Sequence, residues 1–188
     1  MINEGGGHGL PPAPTAAQAL AAPGADAARP VVPSLPPSPP TRIRIPALGV
    51  DAPVTGLALD PDGHLEPPPP AEPNLAGWYR AGTTPGQRGT AVMAGHVDTR
   101  QGPAVFYRLG DLRRGDHLEV TRQDGSSAHF TVDAVETYRR SDFPDHTVYA
   151  AAPDAQLRLI TCGGGYREPE GYDGNVVVFA HLVRAVRA

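Results

Sequence analysis

From Thr41 onward the 188-residue sequence predicts an all-β domain, a barrel or a sandwich, and three observations predict it. Short runs alternate polar and apolar side chains, as in Arg42-Ile43-Arg44-Ile45, the pattern of a strand with one buried face. Turn signals such as Pro61-Asp62-Gly63, Thr84-Pro85-Gly86 and Asp124-Gly125 separate these runs. No stretch keeps a helical apolar spacing for long. The best helix candidate is a short one near Val105–Leu109, ahead of Gly110.

Residues 1–40 come first and differ in texture. They hold ten of the chain's 23 prolines, many alanines and three consecutive glycines. The run from Pro30 to Pro40 favours polyproline II, a semi-rigid spacer without a core of its own. This divides the chain into a disordered or extended spacer, 1–40, and a folded domain, 41–188. Within the domain the strand candidates are Arg42–Ile45, Val50–Val54, Gly56–Leu59, Thr90–Ala94, His117–Thr121, Ala128–Thr137, Gln156–Thr161 and Asn175–Val183. Gln123-Asp124-Gly125-Ser126 reads as a hairpin turn between two of them.

Composition narrows the function. A net charge of −4 with mixed signs gives no footprint for nucleic acid. The single cysteine excludes an intramolecular disulfide and a zinc site of the CxxC type. The seven histidines are scattered, no acidic run resembles a calcium loop, and neither a metal nor a cofactor is expected. No run approaches the ~18 apolar residues of a membrane span. The start Met1-Ile2-Asn3-Glu4-Gly5 lacks the basic and apolar regions of a signal peptide. Two readings follow: a cytoplasmic protein, or a chain that begins after a removed signal or anchor.

Two stretches carry chemistry. Leu157-Arg158-Leu159-Ile160-Thr161-Cys162-Gly163-Gly164-Gly165 reads as a strand that delivers the lone thiol to a glycine-rich loop. On its own this fits a nucleophile and a packed structural cysteine equally well. Thr90–Ala94 followed by Gly95-His96 brings a histidine to a second strand end. A Cys–His pair activates a thiol or protonates a leaving amine, and histidine titrates near neutral pH. His181 alternates with apolar positions inside Val176–Val183 and reads as a packed residue. Histidine precedes cysteine here, the reverse of the papain-like order.

Leu159-Ile160-Thr161-Cys162 resembles the Leu-x-Thr-Cys motif of sortases, cysteine transpeptidases that anchor proteins to Gram-positive cell walls, and Ala94-Gly95-His96-Val97-Asp98 resembles their histidine motif. Gly77-Trp78-Tyr79, Pro85-Gly86, Phe143-Pro144 and Thr161-Cys162-Gly163-Gly164 look most like the actinobacterial class F group, with class E next. The similarity runs from about Thr41 to Val183. It implies an eight-stranded β-barrel with one or two short helices, and an enzyme of the EC 3.4.22-like thiol peptidase kind. The Cys162 thiolate would attack the Thr-Gly bond of an LPxTG-like sorting signal to form a thioester, which an amine, or water in its absence, releases. His96 would act first as acid and then as base. Thr161 and Gly95 would bind substrate, with Thr161 also near the developing oxyanion. The implied partners are the sorting signal of a secreted protein, an amine of a cell-wall precursor, and the membrane through an anchor absent from this chain. The implied location is extracytoplasmic.

One position departs from the family pattern. A Tyr-Arg-Asp-Asn-like run supplies the family's arginine, whereas this chain has Tyr172-Asp173-Gly174-Asn175. Arg167, in the same loop as Cys162, is the preferred substitute. Arg158 shares the Cys162 face of its strand but lies ~13 Å away. The alternatives to a transpeptidase are a thiol hydrolase with water as acceptor and a degenerate barrel that binds peptide without turnover.

Overall fold

The structure, a computed structural model, describes residues 9–21, 29–167 and 171–188, with the side chain of Arg167 outside that description. Its strands are β1 (Pro40–Ile45), β2 (Val50–Leu57), β3 (Ala76–Tyr79), β4 (Gly89–Gly95), β5 (Asp98–Thr99), β6 (Gly102–Pro103), β7 (His117–Arg122), β8 (Ser127–Arg139), β9 (Ala155–Arg167) and β10 (Gly171–Val186). Eight of them close into a barrel in the order β1-β2-β3-β4-β9-β10-β8-β7, and β5 and β6 form a small separate pair. Pairing is antiparallel except for β2 with β3 and β4 with β9. Closure leaves none of the eight strands with an open edge along its paired length.

The alternation read in the sequence is what fills the barrel. Ile43, Ile45, Met93, Leu118, Val120, Phe130, Leu157 and Leu159 are each at most 1% exposed. Each such side chain contributes about 1.5–3 kcal/mol by leaving water. A second cluster lies on the opposite face of β8, β10 and β9. It consists of Ala134, Val148, Val177 and Phe179, with Tyr138, Phe143 and Ile160 packed against them. The short helix α1 (Asp145–Val148), which follows Pro144, brings Val148 to it. Cys162 alternates with Ile160 and Arg158 along β9, so it belongs to this outer face.

Four local differences from the sequence reading have physical causes. β3 shows no alternation because both its faces are covered: Ala76, Gly77 and Trp78 are all buried, and a Cβ on Gly77 would sit 2.2 Å from Leu57. The two runs on either side of Thr55 merge into β2. The helix expected near Val105–Leu109 is a series of turns, and a 3₁₀ turn follows at Leu109–Asp111. Its amides are engaged elsewhere: Val105 N donates to Pro73 O (2.8 Å) and Phe106 N to His96 O (3.1 Å). The glycine stretch after Cys162 continues β9 as paired strand as far as Arg167.

The tail expected as a spacer lies along the barrel over its described residues, extended apart from a 3₁₀ turn at Ala16–Gln18. Residues 1–8 and 22–28 of that expectation fall outside the described residues. Gln18 is buried and donates to Gly110 O (2.8 Å), and Leu20 N donates to Glu136 Oε1 (2.7 Å). Leu35 joins the barrel core, its amide bonded to Gly86 O (2.8 Å). The buried Arg122 donates to Pro36 O and Ser126 Oγ.

Candidate active site

The parallel β4–β9 pair builds the site. Its ladder runs from Gly89↔Ala155 to Ala94↔Ile160. The ladder ends there; β4 stops at Gly95 with His96 next along the chain, and β9 runs on through Thr161 to Cys162. Thr161 fixes this junction: it is 4% exposed, faces inward, and its Oγ1 donates to Gly95 O at 2.8 Å. Gly95 is required by packing, because a Cβ there would lie 2.6 Å from both Phe106 and Val105. The same turn holds the next two carbonyls, Phe106 N donating to His96 O (3.1 Å) and Ala104 N to Val97 O (3.0 Å). Thr161 and Gly95 are thus in direct contact, and Cys162 and His96 are the next residues along their two segments.

His96 is half-buried, and its Nε2 lies 2.6 Å from Pro68 O. A carbonyl oxygen only accepts, so Nε2 is the donor in this contact. Pro68 is the buried member of the Pro67–Pro70 run that covers this side.

Cys162 is exposed. Even so, the protein around its thiol displaces enough water to push the pKa up. Arg140 opposes that shift and Asp98 adds to it. Asp98 accepts a 2.5 Å hydrogen bond from the Tyr172 hydroxyl, whose pKa is driven well above the usual phenol range by burial and then by that bond. Tyr166 packs edge-on against Tyr172 at 5.1 Å. On the other side of Cys162, its direct partner on β10 is Asn175.

The arginine question changes shape here. The ladder slips between Tyr172 and Gly174, where Asp173 on β10 faces two residues of β9, Gly164 and Gly165, in a β-bulge, and its Oδ1 accepts from Gly165 N at 2.7 Å. Arg158 is not near the thiol. It is buried beside Phe179 (4.6 Å to the ring), donates to Val148 O, Leu157 O and Gln156 Oε1, and burial lowers its pKa to about 10. Arg167 pairs with Gly171 through the backbone, and its side chain lies outside the described residues. His181 lies farther along β10, six residues beyond the Cys162 partner Asn175, and bonds Asp133 at 2.8 Å.

The sequence reading missed Arg140 and Pro68, and quoted Asp98 and Tyr172 without a role. Only Asp98 had a local signal, two residues beyond His96. The others reach the site through tertiary structure alone. For metals, Asp60, Asp62 and His64 each offer a ligand atom within 4.8 Å of one another on an exposed loop. Asp60 Oδ1 is already engaged there by the amides of Asp62 and His64. That loop does not include Cys162 or His96.

A sortase-domain family model matches residues 43–183, a span that contains every element of this site. The chain belongs to the sortase family. Its fold is similar to that of solved sortases. Sortase A of Listeria monocytogenes is 18% identical, with 81% of this chain and 92% of that chain covered and a TM-score of 0.59. Sortase A from Corynebacterium diphtheriae is 23% identical, with 79% and 62% covered and a TM-score of 0.57. A pilus-related sortase C of Group B Streptococcus is 15% identical, with 78% and 68% covered and a TM-score of 0.57. No curated protein matches the sequence. Family membership makes this sortase a cysteine transpeptidase in general terms.

Proposed function

We propose that this sortase is class F-like, with class E the next resemblance, and that it acts outside the cytoplasmic membrane on an LPxTG-like sorting signal. The supporting observation is the β4–β9 junction, where Thr161 ties Cys162 to the strand end that carries His96. The Cys162 thiolate attacks the carbonyl carbon of the Thr-Gly bond, and the electron pair moves onto the oxygen. Collapse of that adduct breaks the C–N bond, His96 gives the leaving amine its proton, and a thioester remains. An incoming amine, supplied by a cell-wall precursor, then loses its proton to His96. It displaces the thiolate and forms the new amide. Thr161 acts here as a positioning residue, since its hydroxyl is committed to Gly95 O.

Among the described residues no helix is long and apolar enough to cross a membrane. Association with the membrane belongs to the same proposal.

A second reading is a barrel that binds peptide without turnover. It is favoured by Asp173 in the family arginine's place and by the raised thiol pKa. Incubation with an LPxTG peptide and a small amine, followed by mass spectrometry, tests both. A Cys162-linked thioester and an amide product are expected. Hydrolysis that amine never diverts would indicate a hydrolase, and absence of both products would leave the binding reading.

A further inference from the structure

Attack of a thiolate on a peptide carbonyl puts negative charge on the carbonyl oxygen, and a cation or donor aimed at that oxygen lowers the barrier. In this chain the expected position holds Asp173, whose carboxylate is fixed in the bulge by Gly165 N. Arg158 is buried in its own bonds to Val148 O and Gln156 Oε1. The end of β8 offers another source. In the ladder, Tyr138 opposes Asn175, which opposes Cys162, so these three form one row across β8, β10 and β9. Arg139 opposes Gly174, and Arg140 follows as the first residue of the 3₁₀ turn Arg140–Asp142. The exposed Arg140 side chain leans over β10, with Nη2 donating to Tyr172 O at 3.1 Å. Its guanidinium therefore sits on the rim of the bulge, on the strand between its own and that of the thiol.

We propose that Arg140 supplies the active-site cation, reaching across β10 from the end of β8 in place of the arginine that Asp173 displaces. The proposal rests on the transpeptidase reading given above. Its charge already acts on the thiol, opposing the rise that burial imposes. The hydrogen bond to Tyr172 O is exchangeable: an oxyanion is a stronger acceptor than a neutral carbonyl, so the guanidinium moves to the substrate oxygen as charge develops. When the adduct collapses, the C=O bond reforms and Arg140 returns to Tyr172 O. The sequence alone hides this arrangement, since Arg139-Arg140 reads as two solvated charges at a strand end.

Two readouts test it on the full chain: the pH dependence of Cys162 alkylation by iodoacetamide, and kcat/KM for an LPxTG peptide with a small amine. In Arg140→Gln the alkylation midpoint is expected to move to higher pH, and kcat/KM to fall about tenfold or more. Arg140→Lys should restore the alkylation midpoint while recovering only part of the turnover, because a point charge lacks the guanidinium fork. Arg139→Gln, one residue away, should leave both readouts within about twofold. Unchanged kcat/KM in Arg140→Gln overturns the proposal, as does a loss confined to Arg167→Gln. If the parent shows no turnover, alkylation still decides. A midpoint moved by Arg140→Gln keeps the pairing and sinks the transpeptidase reading, whereas an unmoved midpoint sinks the pairing itself.

Discussion

The two halves of the β9–β10 hairpin differ in what supports them. From Gln156 to Ile160, β9 is paired on both sides, with β4 and with β10, and Leu157 and Leu159 are fully buried. From Cys162 onward β4 has ended, and β10 is the remaining partner in the ladder. Gly163, Gly164 and Gly165 replace apolar side chains, the register slips at Asp173, and the surface is open. The thiol lies two residues past the doubly paired part, with Thr161 between them tied to Gly95 O through its hydroxyl. Such a boundary fixes the Cα of a nucleophile while leaving one flank free for a peptide to approach. The supported half teaches what stability needs and the open half what chemistry needs, and Thr161 belongs to both.

Substitutions that separate the halves sharpen this contrast. The largest effect belongs to Cys162→Ala, which should abolish thioester and amide product while leaving the thermal midpoint nearly unchanged, since the residue is exposed. Leu159→Ala does the converse. It should cost about 2–5 kcal/mol in denaturant unfolding, with activity per folded molecule largely kept. Thr161→Val removes the bond to Gly95 O, at about 0.5–1.5 kcal/mol, together with a fall in kcat as the segments carrying His96 and Cys162 lose this tie. Gly164→Ala tests the open half. Gly164 has φ +88, and a Cβ there would meet Asp173 Oδ1, so about 1–2 kcal/mol is expected by the same unfolding assay. The pH profile is the mildest probe. Burial holds the thiol protonated, so alkylation should rise with pH to a midpoint above the ordinary cysteine value of about 8.5.

Much of the fold was legible because one-sided burial writes alternation into a strand. β1, β7 and the first half of β9 read directly from Ile43 and Ile45, Leu118 and Val120, Leu157 and Leu159. β3 was illegible because burial on both faces erases alternation. The turn at Val105–Phe106 was misread as helical because its amides bond distant carbonyls, which no local pattern records. At the site, Cys162 and Gly95-His96 stood out as strand-end residues beside glycines, and the family motif added their order. Arg140 and Pro68 could not be found that way. One arrives by sheet register from β8, the other through a loop folded back over β4.

The central claim is that Cys162, set just past the doubly paired part of β9, forms an acyl-enzyme with a sorting-signal peptide. Intact-mass measurement after mixing with an LPxTG peptide, quenched in acid, tests it most directly. The account expects an adduct whose mass is that of the peptide up to threonine, lost in Cys162→Ala and discharged by added amine. An unmodified protein at every time and pH, with the peptide intact, would contradict it.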